Sequence, residues 1–234
     1  GTGVIVTLMR RHRDAFADLR FRQESQSLGM WSTRRDVLQQ IELILPEPSD
    51  SGLSTVLSRF WNSWDDLSNQ PQSSAVRATV RQQASQLCLA LNHAHQQLAD
   101  LRDGQDTQIQ LKVQEINAIA QQIAALNRDI QKVEVTGNQP NDLRDQRDLL
   151  LDKLCTLTNL TYREGDDGIL SVYIGGTALV QDFDVNELSA VEGGRVRWAS
   201  AGDDDPDVAV TNGQLGGILS ARQVIADQIS ELDR

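Results

Sequence analysis

The sequence predicts a mainly α protein with a small β unit: an elongated antiparallel helical bundle with a very long helix, plus an antiparallel β-hairpin subdomain. Residues 73–136 contain no proline, no aromatic residue and one glycine, Gly104. After Asn159 the apolar residues recur at every second position, the period of a strand, and from Gly213 the helical period returns. The predicted division is a rod-like bundle over 1–158, a β-rich subdomain over 159–212 and a helix over 213–234 that returns to the bundle.

The long central segment carries two apolar stripes whose members are three and four residues apart. A mean spacing near 3.5 predicts a helix that packs lengthwise against other helices. At 1.5 Å per residue, an unbroken helix here would be roughly 90 Å long. Around Gly104 the steps lengthen to four, so we expect a kink or a change of packing partner, with two separate helices as the alternative. The stripes are Val80, Ala84, Leu87, Leu91, Ala94, Leu98 and Leu101, then Ile116, Ile119, Ile123, Leu126, Ile130 and Val133.

Two further helices precede the long one. The first is predicted from Arg10 to Leu45, with Gly29 as its weak point, and the segment 46–52 ends it with prolines and glycine. The second, about 53–67, has an apolar side that includes Phe60, Trp61 and Trp64. These three aromatic residues are candidate subunit contacts, although we favour bundle core as their role. The apolar positions of the first helix are Phe16, Leu19, Trp31, Leu38, Ile41 and Leu45.

Capping residues mark where the later helices begin. Ser73 or Ser74 can cap the long helix, and Asn141 is the predicted N-cap of a helix over about 142–158. Arg144 and Asp148 are four residues apart, which permits a surface ion pair. We interpret this segment as a solvated, charge-paired helix face in a capping and structural role, in preference to direct partner binding. The motif consists of Asn141, Asp142, Arg144, Asp145, Arg147 and Asp148.

Two glycine pairs predict two β-hairpins. Gly175-Gly176 separates alternating segments that end at Ile174 and begin at Thr177, and turns of this type need positive φ. Gly193-Gly194 joins residues 188–191 to 195–198 in the same way. An acidic loop, 201–207, then leads to the last helix.

Composition and motifs argue against catalysis and against several binding classes. The formal net charge of −11 disfavours nucleic acid and anionic membrane surfaces, and no apolar run reaches 18 residues. His93 and His95 are two apart on a helix and cannot share a metal ion. No nucleophile or phosphate-binding motif is present in the sequence. We therefore predict no enzyme activity, no cofactor and no metal.

The two cysteines, Cys88 and Cys155, each adjoin an apolar stripe. We predict that both are small buried side chains, with a disulfide between them as the open alternative. The N-terminal segment is too short and too polar for a secretory signal, and it has no initiator methionine. The chain is therefore expected to be a piece of a larger protein.

Several segments, in order along nearly the whole chain, resemble the family of the flagellar hook-associated protein of the bacterial hook–filament junction. The most specific is the block from Asn141 to Leu150. The others are Gly3-Val4-x-Val6 with Arg11-x-Arg13-Asp14-x-Phe16; Leu57-x-x-Phe60-Trp61-Asn62-Ser63-Trp64 through Pro71; Ile116-Asn117 with Ile123-Ala124-x-Leu126-Asn127-x-x-Ile130; Ile174-Gly175-Gly176-x-x-Leu179-Val180; and Gly213-Gln214-Leu215-x-Gly217-x-Leu219-x-Ala221-Arg222.

The resemblance implies a structural axial subunit that is exported unfolded by the flagellar type III apparatus without a cleaved signal and lies outside the cell. The implied partners are the hook protein, a second junction protein on the filament side, neighbouring copies in a ring, and an export chaperone that binds a C-terminal segment absent here. By the same resemblance, we expect this chain to lack the family's terminal segments and an outer β-rich region. The isolated fragment is therefore expected to be soluble and monomeric.

Two other functions remain as alternatives. An elongated coiled-coil adaptor or surface adhesin module would form a stable parallel oligomer. A hydrolase with paired carboxylates would need acids that converge in a cleft and have raised pKa values.

Overall fold

The computed structural model describes residues 14–46, 49, 52–165, 167–202 and 204–233. It confirms the predicted class, since five helices and six antiparallel strands make up the described chain. The predicted start of the first helix at Arg10 lies outside the described residues. The elements are α1 Ala15–Ile44, α2 Leu53–Asn69, α3 Ser74–Glu134, α4 Asn141–Leu157, β1 Thr161–Glu164, β2 Leu170–Ile174, β3 Thr177–Gln181, β4 Asp184–Val185, β5 Leu188–Val191, β6 Arg195–Trp198 and α5 Gly213–Leu232.

The long helix α3 is continuous over 61 residues. Gly104 lies inside this helix, so the alternative of two separate helices is wrong. No atom lies within 4 Å of the place that a Cβ on Gly104 would occupy. A glycine costs such a helix only about 1 kcal/mol relative to alanine, which the flanking apolar stripes can offset. None of the helices that the structure describes has the length and apolar character needed to cross a membrane.

The described residues form two compact units, and α1, α3 and α5 each contribute to both. One unit contains the residues up to Ser32 and Gln110–Gly217; the other contains Thr33–Ile109 and the residues from Ile218 onward. The apolar core of the first unit comes from α3, α4, the strands and the start of α5. The core of the second joins α1, α3 and α5 through Val37, Ile41, Leu98, Ala221, Ile225 and Ile229.

Both predicted hairpins are confirmed. Ile174 pairs with Thr177 across Gly175-Gly176, whose φ angles of 58° and 86° suit the tight turn. The second hairpin pairs Leu188 with Trp198 and ends in a glycine turn. β1 and β4 were not predicted, because β1 is a polar, mostly exposed edge strand and β4 has only two residues. The strands form one sheet in the order β1-β2-β3-β4 and a separate two-stranded sheet.

Gly29 is a point of close packing rather than the weak point of the first helix. Gly29 is a buried residue in the middle of α1. A Cβ on Gly29 would collide with the carbonyl oxygen of Thr156 and come within 3.2 Å of the backbone nitrogen of Gln214. Only glycine lets α1 approach the end of α4 and the start of α5 so closely.

The apolar face predicted for α1 is wrong for part of the helix. Phe16, Leu19 and Trp31 are exposed, whereas Arg22 is buried. In the second half of α1, Ile41 is buried as predicted and Leu38 is half-buried, as is Leu45 just after the helix. Val37, which was not among the predicted positions, is buried as well.

The helix caps follow the prediction in one case of two. The hydroxyl of Ser73 accepts a hydrogen bond from the backbone N–H of Val76, at 3.4 Å, and so caps α3. Asn141 is not the N-cap of α4: Pro140 holds that position, and its carbonyl accepts the N–H of Arg144. Because the first helical bond already starts from Pro140, Asn141 lies within the first turn.

The cysteines are both free thiols, and the prediction that both are buried is wrong for Cys88, which is exposed. Cys155 is buried, and burial raises the pKa of its thiol to about 12.

We expect a maleimide at pH 7.5 to label Cys88 within minutes and to leave Cys155 unlabelled, because the thiolate is the reacting species. Mass spectrometry of the digested protein checks this, with labelling in 6 M guanidinium as the control for both thiols. Equal labelling of the two in native buffer would contradict the burial of Cys155.

Candidate functional site: an ion-pair network and an exposed aromatic face

Arg147 is the centre of a buried polar network, although the sequence predicted a solvated helix face. Its side chain is almost fully buried. One guanidinium nitrogen donates to Oδ1 of Asn127 at 3.0 Å and to the carbonyl of Gly168 at 2.7 Å. The other donates to Glu164 at 2.6 Å. Burial lowers the pKa of Arg147, opposed by the charge of Glu164, and the guanidinium stays protonated at neutral pH.

Arg144 extends the network to the end of α3. It binds Glu134 at 2.6 Å and shares Glu164 with Arg147 at 2.7 Å. Its predicted helical neighbour Asp148 instead accepts a hydrogen bond from Arg22 at 3.3 Å. The charge pairing predicted for this segment therefore joins different elements instead of neighbouring turns of one helix.

Arg22 is a second buried cation, which the sequence analysis did not identify. Its Nε donates to Asp152 at 2.6 Å, and its guanidinium lies 4.7 Å from the ring centroid of Tyr162. Burial alone would lower the pKa of Arg22, but the hydrogen bonds and charges of Asp152 and Tyr162 outweigh it, so the pKa is raised. This contact holds α1 against α4 and β1.

Two asparagines of α3 hold the two sheets. Asn127 donates to the carbonyl of Leu170 at 2.8 Å and accepts its N–H at 3.2 Å. Asn117 pairs with both backbone groups of Leu188 at 2.8 and 2.9 Å. Asn127 also donates to the carbonyl of Asp182, which has a positive φ of 55°. Each asparagine thus hydrogen-bonds both backbone groups of the first residue of a strand, and this contact fixes the sheet against α3.

We expect Asn117→Ala to lower the free energy of unfolding by about 1–2 kcal/mol, because the backbone groups of Leu188 lose their partner at a half-buried position. Urea unfolding followed by circular dichroism measures this loss. The matched control is Gln114→Ala, which shortens an exposed amide side chain one turn earlier on the same helix. Equal midpoints for the two variants would contradict the role assigned to Asn117.

The three aromatic residues of α2 form a partly exposed cluster. Phe60 lies 5.5 Å from Trp61 and 6.2 Å from Trp64, measured between ring centroids. Trp61 and Trp64 are 58% and 46% exposed, so the interpretation that we favoured, bundle core, is wrong for both. Leu57, 42% exposed, continues the same side of the helix, and we call these four residues the α2 aromatic face.

Three of the six predicted motif residues, Arg144, Arg147 and Asp148, take part in tertiary ion pairs. Asp142 and Asp145 have exposed side chains in the first two turns of α4. A signal for burial was present in the sequence, because Arg147 shares a helical face with Leu143, Leu150 and Leu154. Asn127 likewise interrupts the apolar stripe of α3.

The network has the features of a structural site. Its carboxylates, Glu134, Glu164, Asp148 and Asp152, each bind an arginine. In the described part of the chain, no three His, Cys, Asp or Glu residues are grouped so that they could hold a metal ion. The arrangement can fix α4 and the sheets in place, and the α2 aromatic face offers apolar area to a partner.

Comparisons with known proteins agree on one family. A family model described as the helical domain of the flagellar hook-associated protein FlgK matches residues 38–234. The chain is 33% identical over 192 residues to flagellar hook-associated protein 1 of Bacillus subtilis, covering 81% of this chain and 38% of that protein. It is 31% identical over 245 residues to the protein of the same name from Salmonella typhimurium, covering 97% of this chain and 43% of that protein.

A solved structure is similar as well. The flagellar hook junction protein FlgK from Burkholderia pseudomallei superposes with a TM-score of 0.75 at 26% identity, over 87% of this chain and 38% of that chain. The chain thus spans about two fifths of the length of the relatives that it matches.

Proposed function

We propose that this chain is part of a structural subunit of the bacterial flagellum at the junction of hook and filament, because it belongs to the flagellar hook-associated protein FlgK family. The observation that carries the proposal is the family match over residues 38–234, which includes Arg147 with its partners Asn127 and Glu164, and the α2 aromatic face. The subunit acts through packing against other subunits and has no catalytic role.

The partners follow from the position of a junction. We propose contacts with the hook protein on one side, with a second junction protein on the filament side, and with neighbouring copies in a ring. The full-length protein is exported by the flagellar type III apparatus without a cleaved signal, with the help of a chaperone that binds its C-terminal segment. It then lies outside the cell.

The test of the junction role is electron microscopy of the source bacterium after deletion of the gene that encodes this chain. We expect bare hooks, with flagellin monomers shed into the medium, and restoration by the full-length gene on a plasmid. Normal filaments in the deletion strain would overturn the proposal and favour an elongated coiled-coil adaptor or adhesin. Light scattering of the isolated chain separates the two functions further, because the adaptor predicts a stable oligomer and the junction subunit a monomer.

The α2 aromatic face is the surface that we propose for subunit contacts, with Trp61 and Trp64 as its main residues. Exposed tryptophans are enriched among the residues that dominate binding energies. We expect the full-length Trp61→Ala, Trp64→Ala double variant to fold normally but to restore swimming poorly in the deletion strain.

The matched control for this variant is Leu111→Ala, which removes a single side chain that is 51% exposed on α3. Swimming diameter on soft agar, together with circular dichroism of each variant, separates assembly from folding. Full swimming of the tryptophan variant would show that this face is not a subunit contact.

A further inference from the structure

The pair Asn212-Gly213, at the start of α5, has a side chain folded back onto its own main chain. The backbone N–H of Gly213 donates to the side-chain Oδ1 of Asn212 at 3.0 Å. An asparagine in front of a helix ordinarily accepts instead from the N–H of the second or third helical residue. Because Cγ is bonded to Oδ1 at about 1.2 Å, the carboxamide carbon of Asn212 lies beside the backbone nitrogen of Gly213.

The packing of α5 on the end of α4 requires glycine at position 213. Gly213 has a φ of 74°, in the left-handed region that glycine adopts without strain. A Cβ on Gly213 would collide with the backbone nitrogen of Thr158 and stand 2.6 Å from the carbonyl carbon of Leu157. The residue after Asn212 therefore has no side chain that could keep the carboxamide of Asn212 away from its nitrogen.

The main chain on both sides of Asn212 is held in place. Asn159, two residues after the end of α4, accepts the N–H of Thr211 at 2.8 Å and donates to the carbonyl of Ala209 at 3.0 Å. Gly213 begins α5, and the N–H of a first helical residue has no acceptor within its own helix. Asn212 is half-buried between these two fixed neighbours. The bond to Oδ1 is thus formed by a nitrogen that no helical hydrogen bond engages.

We propose that Asn212 is a site of spontaneous deamidation through attack by the backbone nitrogen of Gly213. The lone pair of this nitrogen forms a bond to Cγ of Asn212, and the Cγ–Nδ2 bond breaks. The proton of the attacking nitrogen passes through solvent to the departing side-chain nitrogen, which leaves as ammonia. Water then opens the five-membered imide at one of its two carbonyls, and the product is aspartate or isoaspartate.

The fold favours this ring closure. Holding two reacting groups in contact removes much of the entropic cost of bringing them together. In an unfolded chain, the carboxamide of Asn212 and the nitrogen of Gly213 must find each other among many conformations, whereas in the folded chain they are already adjacent. The inference is independent of the proposed function, because it concerns only the chemistry of this residue pair.

The two products have different effects on the structure. Aspartate adds a negative charge at the start of α5, where the helix dipole favours it. Isoaspartate lengthens the main chain by one carbon atom at the point where Gly213 lies against the backbone of Thr158. We therefore expect the isoaspartate form to unfold at a lower temperature than the aspartate form.

The test is peptide mapping of the full-length protein during incubation at 37 °C and pH 7.5. Mass spectrometry detects deamidation as a gain of about 1 Da, and fragmentation distinguishes aspartate from isoaspartate. We expect Asn212 to be converted about two- to tenfold faster in the folded protein than in a synthetic peptide of residues 207–217. Asn138, which is exposed and followed by Gln139, is the control within the same chain and should stay unchanged.

An equal or slower conversion in the folded protein than in the peptide would overturn the proposal, because the fold would then not promote the reaction. Equal conversion of Asn212 and Asn138 would overturn it as well. The matched variant is Asn212→Ser, which removes the carboxamide but keeps a side chain that can cap α5. Isoelectric focusing should show a growing acidic form in the parent protein and none in this variant. An acidic form that grows equally in both would assign the modification to another residue.

Discussion

Replacing Arg147 with methionine is expected to lower the free energy of unfolding by about 2–4 kcal/mol, because two buried acceptors, the carbonyl of Gly168 and Oδ1 of Asn127, lose a charged donor. The methionine fills most of the space but leaves the carbonyl of Gly168 without its donor and Asn127 with one bond fewer. Arg147→Lys should recover only part of the loss, because one ammonium cannot reproduce a planar fork that reaches three acceptors. Thermal unfolding followed by circular dichroism measures both, with a midpoint lower by roughly 10 °C for methionine.

The control is Arg144→Met, which removes the other arginine on Glu164. Arg144 is less buried, and its ion pairs are partly exposed to water. Its loss should cost about 1 kcal/mol. Similar midpoints for the two methionine variants would show that Arg147 has no special part in holding α4 to the sheet.

The same substitution at two helical glycines is expected to have opposite effects. Gly29→Ala should lower the free energy of unfolding by about 3 kcal/mol, at the upper end of the range for overpacking. Its Cβ would collide with the carbonyl oxygen of Thr156, and a backbone atom cannot move aside as a flexible side chain can.

Gly104→Ala should raise the free energy of unfolding by about 0.5–1 kcal/mol, because alanine is the better helix former and nothing lies within 4 Å of the new methyl group. Urea unfolding of both variants beside the parent chain provides the comparison. A neutral Gly29→Ala would mean that α1 does not approach α4 so closely. A destabilising Gly104→Ala would mean that α3 is not a continuous helix there.

Local pattern was enough to predict most of the elements. The bounds of β5 and β6 were predicted to the residue, since a glycine turn and alternating side chains leave little choice of register. The long helix was also predicted, but its continuity through Gly104 was left open, because a stutter and a glycine are compatible with both outcomes.

The parts that were not predicted depend on contacts far apart in sequence. Arg22 is buried because Asp152 and Tyr162 meet it from other elements, and no local pattern distinguishes it from an exposed arginine. The exposure of Trp61 and Trp64 could not be predicted for the same reason. Periodicity identifies the apolar side of a helix but does not tell which other element, if any, covers it. Arg147 is different, because the sequence places it on the same helical face as the leucines of α4. Its burial was not predicted, because the charged residues beside it led us to interpret the segment as a solvated face.

The sharing of α1, α3 and α5 between both compact units bears on how the molecule can be dissected. Each unit is assembled from separate stretches of chain. Expression of either unit as one continuous segment would omit part of a helix that belongs to it: the part of α1 up to Ser32 for the first unit, and the part of α5 from Ile218 for the second.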